Sequence, residues 1–374
     1  MPFTRRDLLS IAIAAAVPGV PAAVCAQAAD TDRTSESSER LPYSEMEEAK
    51  AWIEKTAAET GLPRDFIAET LDLASYSPRV EQLMTPKKRW AGSASGTYRA
   101  NWRGYRRRMV DATRVKRGLA FLEENERAFD EAEDRFGVPR DIVAAIIGIE
   151  TVYGRSQGSF RVLDTLCTLS FDYKRRAEYF RKELAQFLLL VREQNLEPLS
   201  VLGSFAGAIG MGQFMPSSIR KLAVDFDGDG KIDLLHSPAD AIGSVANYLT
   251  ANGWVRGLPP YLGCKAGPSA DLSAAKGGVS VSTTLSEVLK AGFVPDFEVD
   301  LPEDEPLMVV DLPTADEDGN LLTEYRLGTR NFQAILTYNR SYFYASAVSD
   351  LALEIEAASM KAAESRMMSE ASAS

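Results

Sequence analysis

From Ser44 to about Thr250 the apolar positions recur at helical spacing with little interruption, which predicts a mainly α-helical body. One joint occurs twice. Gly61-Leu62-Pro63-Arg64-Asp65 and Gly137-Val138-Pro139-Arg140-Asp141 each close a helix with glycine and open the next with proline, with Asp near the positive end of the dipole. Two uses of a common helix–turn–helix joint account for this without a duplicated domain. After Trp254 the texture changes. Gly257-Leu258-Pro259-Pro260 marks a boundary, and β-like runs follow at Gly278 to Ser282, Leu307 to Leu312 and Leu321 to Leu327. Among them lie a short helix opened by a Thr284/Glu287 capping box and a hairpin-type turn from Asp316 to Asn320. Helical spacing returns at Asn331 and runs to about Ala358. The expected fold is mainly α (α+β): a helical body over 44–255, a small β-rich insertion over 256–328 and a helical return over 329–358.

The two ends read differently. Arg5-Arg6 followed by Leu8-Leu9, an alanine-rich apolar run and small residues up to Ala28 make residues 1–28 an export signal, too short for a membrane anchor. The paired arginines resemble a twin-arginine signal; a general secretory signal is the alternative. Residues 29–43 are polar and aperiodic, a disordered leader, and residues 359–374 read as a low-complexity, disordered tail. The expected location is periplasmic, with no transmembrane segment in the mature chain. There an oxidising environment permits a Cys167–Cys264 disulfide, although Cys167 lies in an apolar stretch where a free buried thiol fits equally well.

Composition removes several chemistries. Across 374 residues, 42 Lys+Arg against 53 Asp+Glu give a net charge of −11, which excludes the basic footprint of a nucleic-acid binder. A single histidine, His236, removes most imidazole-based chemistry and rules out multi-histidine metal sites. Carboxylate, tyrosine and backbone chemistry remain. On the helix from Pro139, Val143, Ile146, Ile147 and Glu150 share one side at the spacing of a buried stripe. A carboxylate held against apolar surface, with no cation among its helical neighbours, would have a raised pKa suited to a general acid. The competing reading makes Glu150 the exposed end of the stripe, or one half of an ion pair with a distant Arg. The segment Ser204 to Ser218 is glycine-dense and enters a helix near Pro216. It lacks the Gly-Lys-Ser/Thr ending of a phosphate loop, so its glycines form either a cleft wall close to a ligand or a tight helix-packing joint.

In order along the chain, Glu150-Thr151-Val152-Tyr153-Gly154-Arg155 and Gly210-Met211-Gly212-Gln213-Phe214-Met215-Pro216-Ser217-Ser218 resemble a lytic murein transglycosylase of the B type. Phe171 to Phe180, Asp240 to Tyr248 and Asn331 to Asn339 extend the resemblance, which runs from about Trp102 to Leu351. It implies a lysozyme-like helical core with a flanking helical domain and the β insertion. It also implies non-hydrolytic cleavage of the β-1,4 bond between N-acetylmuramic acid and N-acetylglucosamine in peptidoglycan. Glu150 becomes the sole acid/base, protonating the glycosidic oxygen and then taking the C6 hydroxyl proton to close a 1,6-anhydro ring. This differs from the usual pair of carboxylates. Gln213, Tyr248, Tyr338 and Asn339 match cleft positions, with Ser204 and Tyr105 as further carry-overs. Arg175 and Arg176, with Lys174 and Arg181, either form a solvated helix face or meet the stem-peptide carboxylates of an anionic glycan, for which Arg is well suited. No cofactor is required, and a monomer acting on glycan strands is expected. The other functions in play are a hydrolytic muramidase, with Asp164 or Asp172 as a second carboxylate, and a non-catalytic peptidoglycan binder.

One further motif stands apart. Asp225, Asp227, Asp229, the Lys231 carbonyl and Asp233 occupy positions 1, 3, 5, 7 and 9 of an EF-hand-like loop, with Gly230 at position 6. Position 12, where a bidentate carboxylate belongs, is His236. Either a weakened structural Ca2+ site or a metal-free turn stitched by Asp side chains satisfies this pattern.

Overall fold

The computed structural model describes residues 40–85, 101–302, 304–316 and 320–373. The export signal and nearly all of the leader lie outside the described residues. In chain order the helices are α1 (Glu47–Thr60), α2 (Arg64–Asp72), α3 (Pro78–Met84), α4 (Trp102–Met109), α5 (Ala112–Glu124), α6 (Glu126–Phe136) and α7 (Arg140–Thr151). They continue with α8 (Val162–Cys167), α9 (Ala177–Glu193), α10 (Pro216–Leu222), α11 (Pro238–Ala251), α12 (Leu285–Lys290), α13 (Arg330–Tyr338) and α14 (Tyr342–Ala373). The strands are β1 (Phe160–Arg161), β2 (Leu202–Gly203), β3 (Tyr261–Ala266), β4 (Phe293–Pro295), β5 (Met308–Ala315) and β6 (Leu321–Gly328). The mainly helical expectation holds, and both glycine joints close their helices in the left-handed region, at φ 73° for Gly61 and 70° for Gly137.

The described chain forms two compact units, residues 40–85 with 150–244 and residues 101–149 with 245–373. In the first, α9 buries Phe180, Leu184, Phe187, Leu188 and Val191, an amphipathic spacing that packs against α8 and α10. Glu183 lies on this same buried face. Its carboxylate accepts hydrogen bonds from Ser217 N (3.0 Å) and Ser217 Oγ (2.8 Å), which caps the start of α10. Burial raises its pKa, and those two bonds oppose the shift. Cys167 is fully buried in this unit and Cys264 is buried on β3 in the other. Both are free thiols, so the disulfide reading is not realised.

In the second unit the strands form an antiparallel sheet in the order β4-β3-β6-β5. Successive β6 side chains point to opposite faces. Leu327 enters an apolar cluster with Val288, Phe293, Leu307 and Val309, while the next residue back, Arg326, is buried on the other side. Its guanidinium meets Asp350 of α14 at 2.6 Å and Glu324 at 2.6 Å. Asp350 also accepts from Arg106 Nε (2.6 Å) and Tyr261 Oη (2.9 Å). Burial alone would raise the Asp350 pKa, but these partners outweigh it and hold the carboxyl below its usual range.

The structure departs from the sequence reading at three places. Gly278 to Ser282 is not a strand: Gly277 and Gly278 take φ of 71° and 109°, and only Thr283 makes a bridge, to Leu307. Strands β3 and β4 were not among the expected runs, because β3 mixes polar and apolar residues and β4 is only three residues long. Residues 359–373, expected as a disordered tail, continue α14, in keeping with their Ala, Met, Glu and Lys content. The capping box of α12 forms as expected, with Glu287 N on Thr284 Oγ1 and Thr284 N on Glu287 Oε2.

Asp141, in the first turn of α7, has its carboxyl pushed up to about 6 by burial, with Glu356 and Glu133 adding to the shift and Arg140 opposing it. A carboxyl that holds its proton more tightly when folded contributes stability that is full below its unfolded pKa and is lost as pH rises through about 6. Denaturation of wild type and Asp141→Asn at several pH values tests this. The variant is expected to gain about 3 kcal/mol relative to wild type between about pH 4 and pH 7.

Candidate active site

Residues Ile142 to Ile149 of α7 are all buried, so the helix has no exposed face along this stretch. The stripe inferred from periodicity is thus part of a wholly apolar segment, and Glu150 is the half-buried residue at which the helix leaves it. The next turn is unusual. Val152, Tyr153 and Gly154 all take left-handed conformations, at φ 52°, 59° and 77°. For a β-branched residue this is costly. The turn is held by Thr151, which is fully buried: its Oγ1 donates to Met211 O (2.8 Å) and accepts from Gly154 N (3.0 Å). Gly154 also lies so close to Met211 that a Cβ there would sit 3.2 Å from the Met211 side chain. The segment after Glu150 is therefore fixed against the glycine-dense loop.

That loop is a tight hairpin. Ile209 N and Phe214 O, and Phe214 N and Ile209 O, each pair at 2.9 Å. Between them Met211 N donates to Leu234 O (2.9 Å) and Gln213 takes φ 53°. The Gln213 carboxamide donates to Gln157 O (3.1 Å) and Gly210 O (3.0 Å), which uses both of its N–H groups. Ser204 Oγ accepts from Ala206 N and Ala208 N (3.4 and 3.1 Å), which shapes the turn before the hairpin. Gly158 and Gly203 meet where β1 pairs with β2: a Cβ on Gly158 would lie 2.0 Å from Gly203 O. Here the glycines serve a close joint, and the joint carries Gln213 beside the turn that follows Glu150.

In the same unit the acidic loop folds on its own side chains. Asp225 accepts from Gly228 N (2.8 Å) and Gly230 N (2.9 Å), and Asp229 accepts from Lys231 N (2.8 Å). Asp240, 1% exposed, ties the loop from beneath through Phe226 N and Asp233 N, both at 2.7 Å. Burial raises its pKa, partly offset by those bonds. Oxygens of Asp225, Asp227 and Asp229 lie within 4.8 Å of one another, a hard-oxygen donor set that fits a cation such as Ca2+. His236 offers no second carboxylate: its Nδ1 lies 3.0 Å from Asp233 Oδ2.

Of the two arginines, Arg175 is exposed, while Arg176 begins α9 at φ 64° with its guanidinium over the Tyr179 ring at 4.4 Å. The remaining expected residues lie in the other unit. The Tyr248 hydroxyl donates to Thr337 O (2.9 Å), and its ring meets Tyr338 at 4.7 Å. Asn339 caps the end of α13, 7% exposed; among the described residues its Nδ2 has no hydrogen-bond partner. A buried donor of this kind costs free energy unless a ligand or water meets it. Tyr105 is packed beside Trp102 and Phe343, with ring centroids 6.4 and 5.6 Å away. Sequence reasoning passed over Thr151, Gln157 and Asp240. Only Asp240 left a trace, as the last residue of Ser237-Pro238-Ala239-Asp240, a capping-box pattern in which Asp240 N does bond Ser237 Oγ (3.2 Å).

A family model described as "Transglycosylase SLT domain" matches residues 45–353. Membrane-bound lytic murein transglycosylase B of Escherichia coli (strain K12) is 39% identical over 302 residues, covering 80% of each chain. Among solved structures, the catenated lytic transglycosylase SltB1 from Pseudomonas aeruginosa superposes with a TM-score of 0.75 at 36% identity, over 85% of this chain and 99% of that one. The Escherichia coli lytic transglycosylase Slt35 in complex with calcium gives a TM-score of 0.71 at 37% identity, over 85% of this chain and 95% of that one.

The close approach at Gly210 is directly testable. It takes φ 78°, and a Cβ would lie 2.5 Å from Leu234 O. Gly210→Ala is expected to cost about 2–4 kcal/mol of stability. Gly253→Ala, at φ 93° with open space around it, should cost only about 1 kcal/mol. Equal losses in a denaturant titration would show that the approach to Leu234 contributes nothing.

Proposed function

The chain belongs to the SLT-domain family of lytic murein transglycosylases, enzymes that cleave peptidoglycan, and from that membership we propose that it cuts the β-1,4 bond between N-acetylmuramic acid and N-acetylglucosamine without water. Its mainly helical, lysozyme-like fold is the family's. The observation that carries the proposal is Glu150, a carboxylate at the exit of a wholly buried helical stretch, fixed by the Thr151–Met211 bond. Glu150 first donates its proton to the glycosidic oxygen. The substrate's own N-acetyl group stabilises the developing positive charge, and Glu150 then accepts the proton of the muramic C6 hydroxyl as the 1,6-anhydro ring closes. The engagement of the two other candidate carboxylates supports a single-carboxylate scheme. Asp164 bonds Arg161 and Ser75 N (2.6 and 2.9 Å), and Asp172 bonds Tyr43 Oη (2.7 Å) and Arg40.

In this reading Gln213, Tyr248, Tyr338 and Asn339 hold sugar rings, Ser204 shapes the turn before the hairpin that carries Gln213, and Tyr105 is a further carry-over. Arg175 and Arg176 meet stem-peptide carboxylates. The enzyme works on glycan strands in the periplasm after export, and no described helix is long and apolar enough to cross a membrane. Asp225, Asp227, Asp229, Asp233 and the Lys231 carbonyl would hold a Ca2+ ion, which would supply structural stiffening and take no part in the proton transfers.

Two experiments test these readings. Mass spectrometry of soluble products from purified peptidoglycan should give 1,6-anhydromuramic ends. Glu150→Gln should lower their release by roughly 10²–10⁴-fold while leaving binding to sacculi intact. Reducing ends, or unchanged cutting by the variant, would defeat the mechanism. Separately, His236→Glu restores a carboxylate at position 12 and should tighten Ca2+ binding at least about tenfold by calorimetry. Asp225→Asn should weaken it, and heat signals insensitive to both changes would remove Ca2+ from the loop.

A further inference from the structure

Gln157 has no role in the mechanism above, yet it bonds the turn behind Glu150, the loop that carries Gln213 and the end of the acidic loop. Its Nε2 donates to Gly154 O (3.2 Å), within the left-handed turn after Glu150, and to Leu235 O (2.9 Å), at the end of the acidic loop. Its main-chain oxygen accepts from Gln213 Nε2 (3.1 Å). Its own Oε1 is buried and has no hydrogen-bond partner among the described residues. A buried unpaired carbonyl oxygen costs free energy that a methionine of the same length would avoid, but methionine would leave Gly154 O and Leu235 O without the Nε2 donor. What an amide supplies at this position is its two N–H groups, which tie the turn behind Glu150 to the end of the acidic loop.

Resting on the proposed transglycosylase reading, we infer that Gln157 is a positioning residue that sets the register between the turn behind Glu150 and the loop carrying Gln213, and presents the Gln213 carboxamide with its oxygen toward the substrate. Both Gln213 N–H groups are used internally, on Gln157 O and Gly210 O. The free end is an acceptor. It takes a donor from the glycan, a sugar hydroxyl or an acetamido N–H, and discriminates against a group at that position that only accepts. Leu234 O holds Met211 N and Leu235 O holds Gln157 Nε2, so the end of the acidic loop is bonded to both sides of this register.

The test is a double-mutant cycle on soluble uncrosslinked glycan strands, following formation of anhydromuramic ends, with melting temperature measured for each protein. Gln157→Met is expected to lower kcat about tenfold, with KM within about twofold and the protein still folded at the assay temperature. In a Gln213→Ala background the same change should lower kcat by less than about twofold, because the group it orients is gone. Gln157→Lys keeps a donor for the two carbonyls and should retain at least half of the wild-type kcat, which keeps the inference testable if the methionine variant folds poorly. Losses that multiply in full across the cycle, a kcat unchanged in Gln157→Met, or a lysine variant as impaired as the methionine one would each overturn it. A wild type that yields no anhydromuramic ends would instead defeat the transglycosylase reading itself.

Discussion

One buried hydroxyl sets the geometry on which the proposed chemistry depends. Thr151 Oγ1 donates to Met211 O and accepts Gly154 N, and in doing so it ends α7 and pins the next turn to the glycine hairpin. The conformation it stabilises is expensive: two residues with side chains, Val152 and Tyr153, sit in the left-handed region at about 1–2 kcal/mol each. Each buried hydrogen bond returns about 1 kcal/mol. The turn is therefore close to balance on local terms, and the packing of Gly154 on Met211 helps to decide it. Strain concentrated immediately after the proposed acid/base is consistent with a site whose carboxylate position matters more than local stability.

The acidic loop extends the same network. Its aspartates hold its own backbone amides, and Asp240 holds the loop to the start of α11. These side-chain-to-backbone bonds define the turn, and in the proposed reading a cation would stiffen it. The network reaches the hairpin through Leu234 and the turn behind Glu150 through Leu235. Stiffening the loop would therefore be felt at both sides of the Gln157 register.

The other unit is organised around a buried charge. Asp350 of α14 gathers Arg326 from β6, Arg106 from α4 and Tyr261 from β3. Such a cluster contributes little net stability over an apolar core, yet it penalises any packing that leaves one member unpaired. It fixes which face of β6 meets α14, and so the placement of α13, whose end carries Tyr338 and Asn339.

The sequence by itself determined the elements whose signals are local. These are the helical body, the two glycine–proline joints, the Thr284/Glu287 capping box, the hairpin turn beside Asp316 and Asn320, the aspartate spacing of the loop and the position of Glu150 at the end of an apolar helix. Each rests on contacts within a few residues, where periodicity and turn chemistry are written directly. Local signals also misled: paired glycines turned the run at Gly278 away from a strand, and helix-forming composition carried α14 through a stretch read as tail. Only the tertiary structure decided the left-handed turn, the Thr151–Met211 bond across 60 residues, the Arg326–Asp350 pair and the three contacts of Gln157. Those partners are chosen by what packing brings together, and a hydrogen bond between distant residues leaves no periodic trace in the chain.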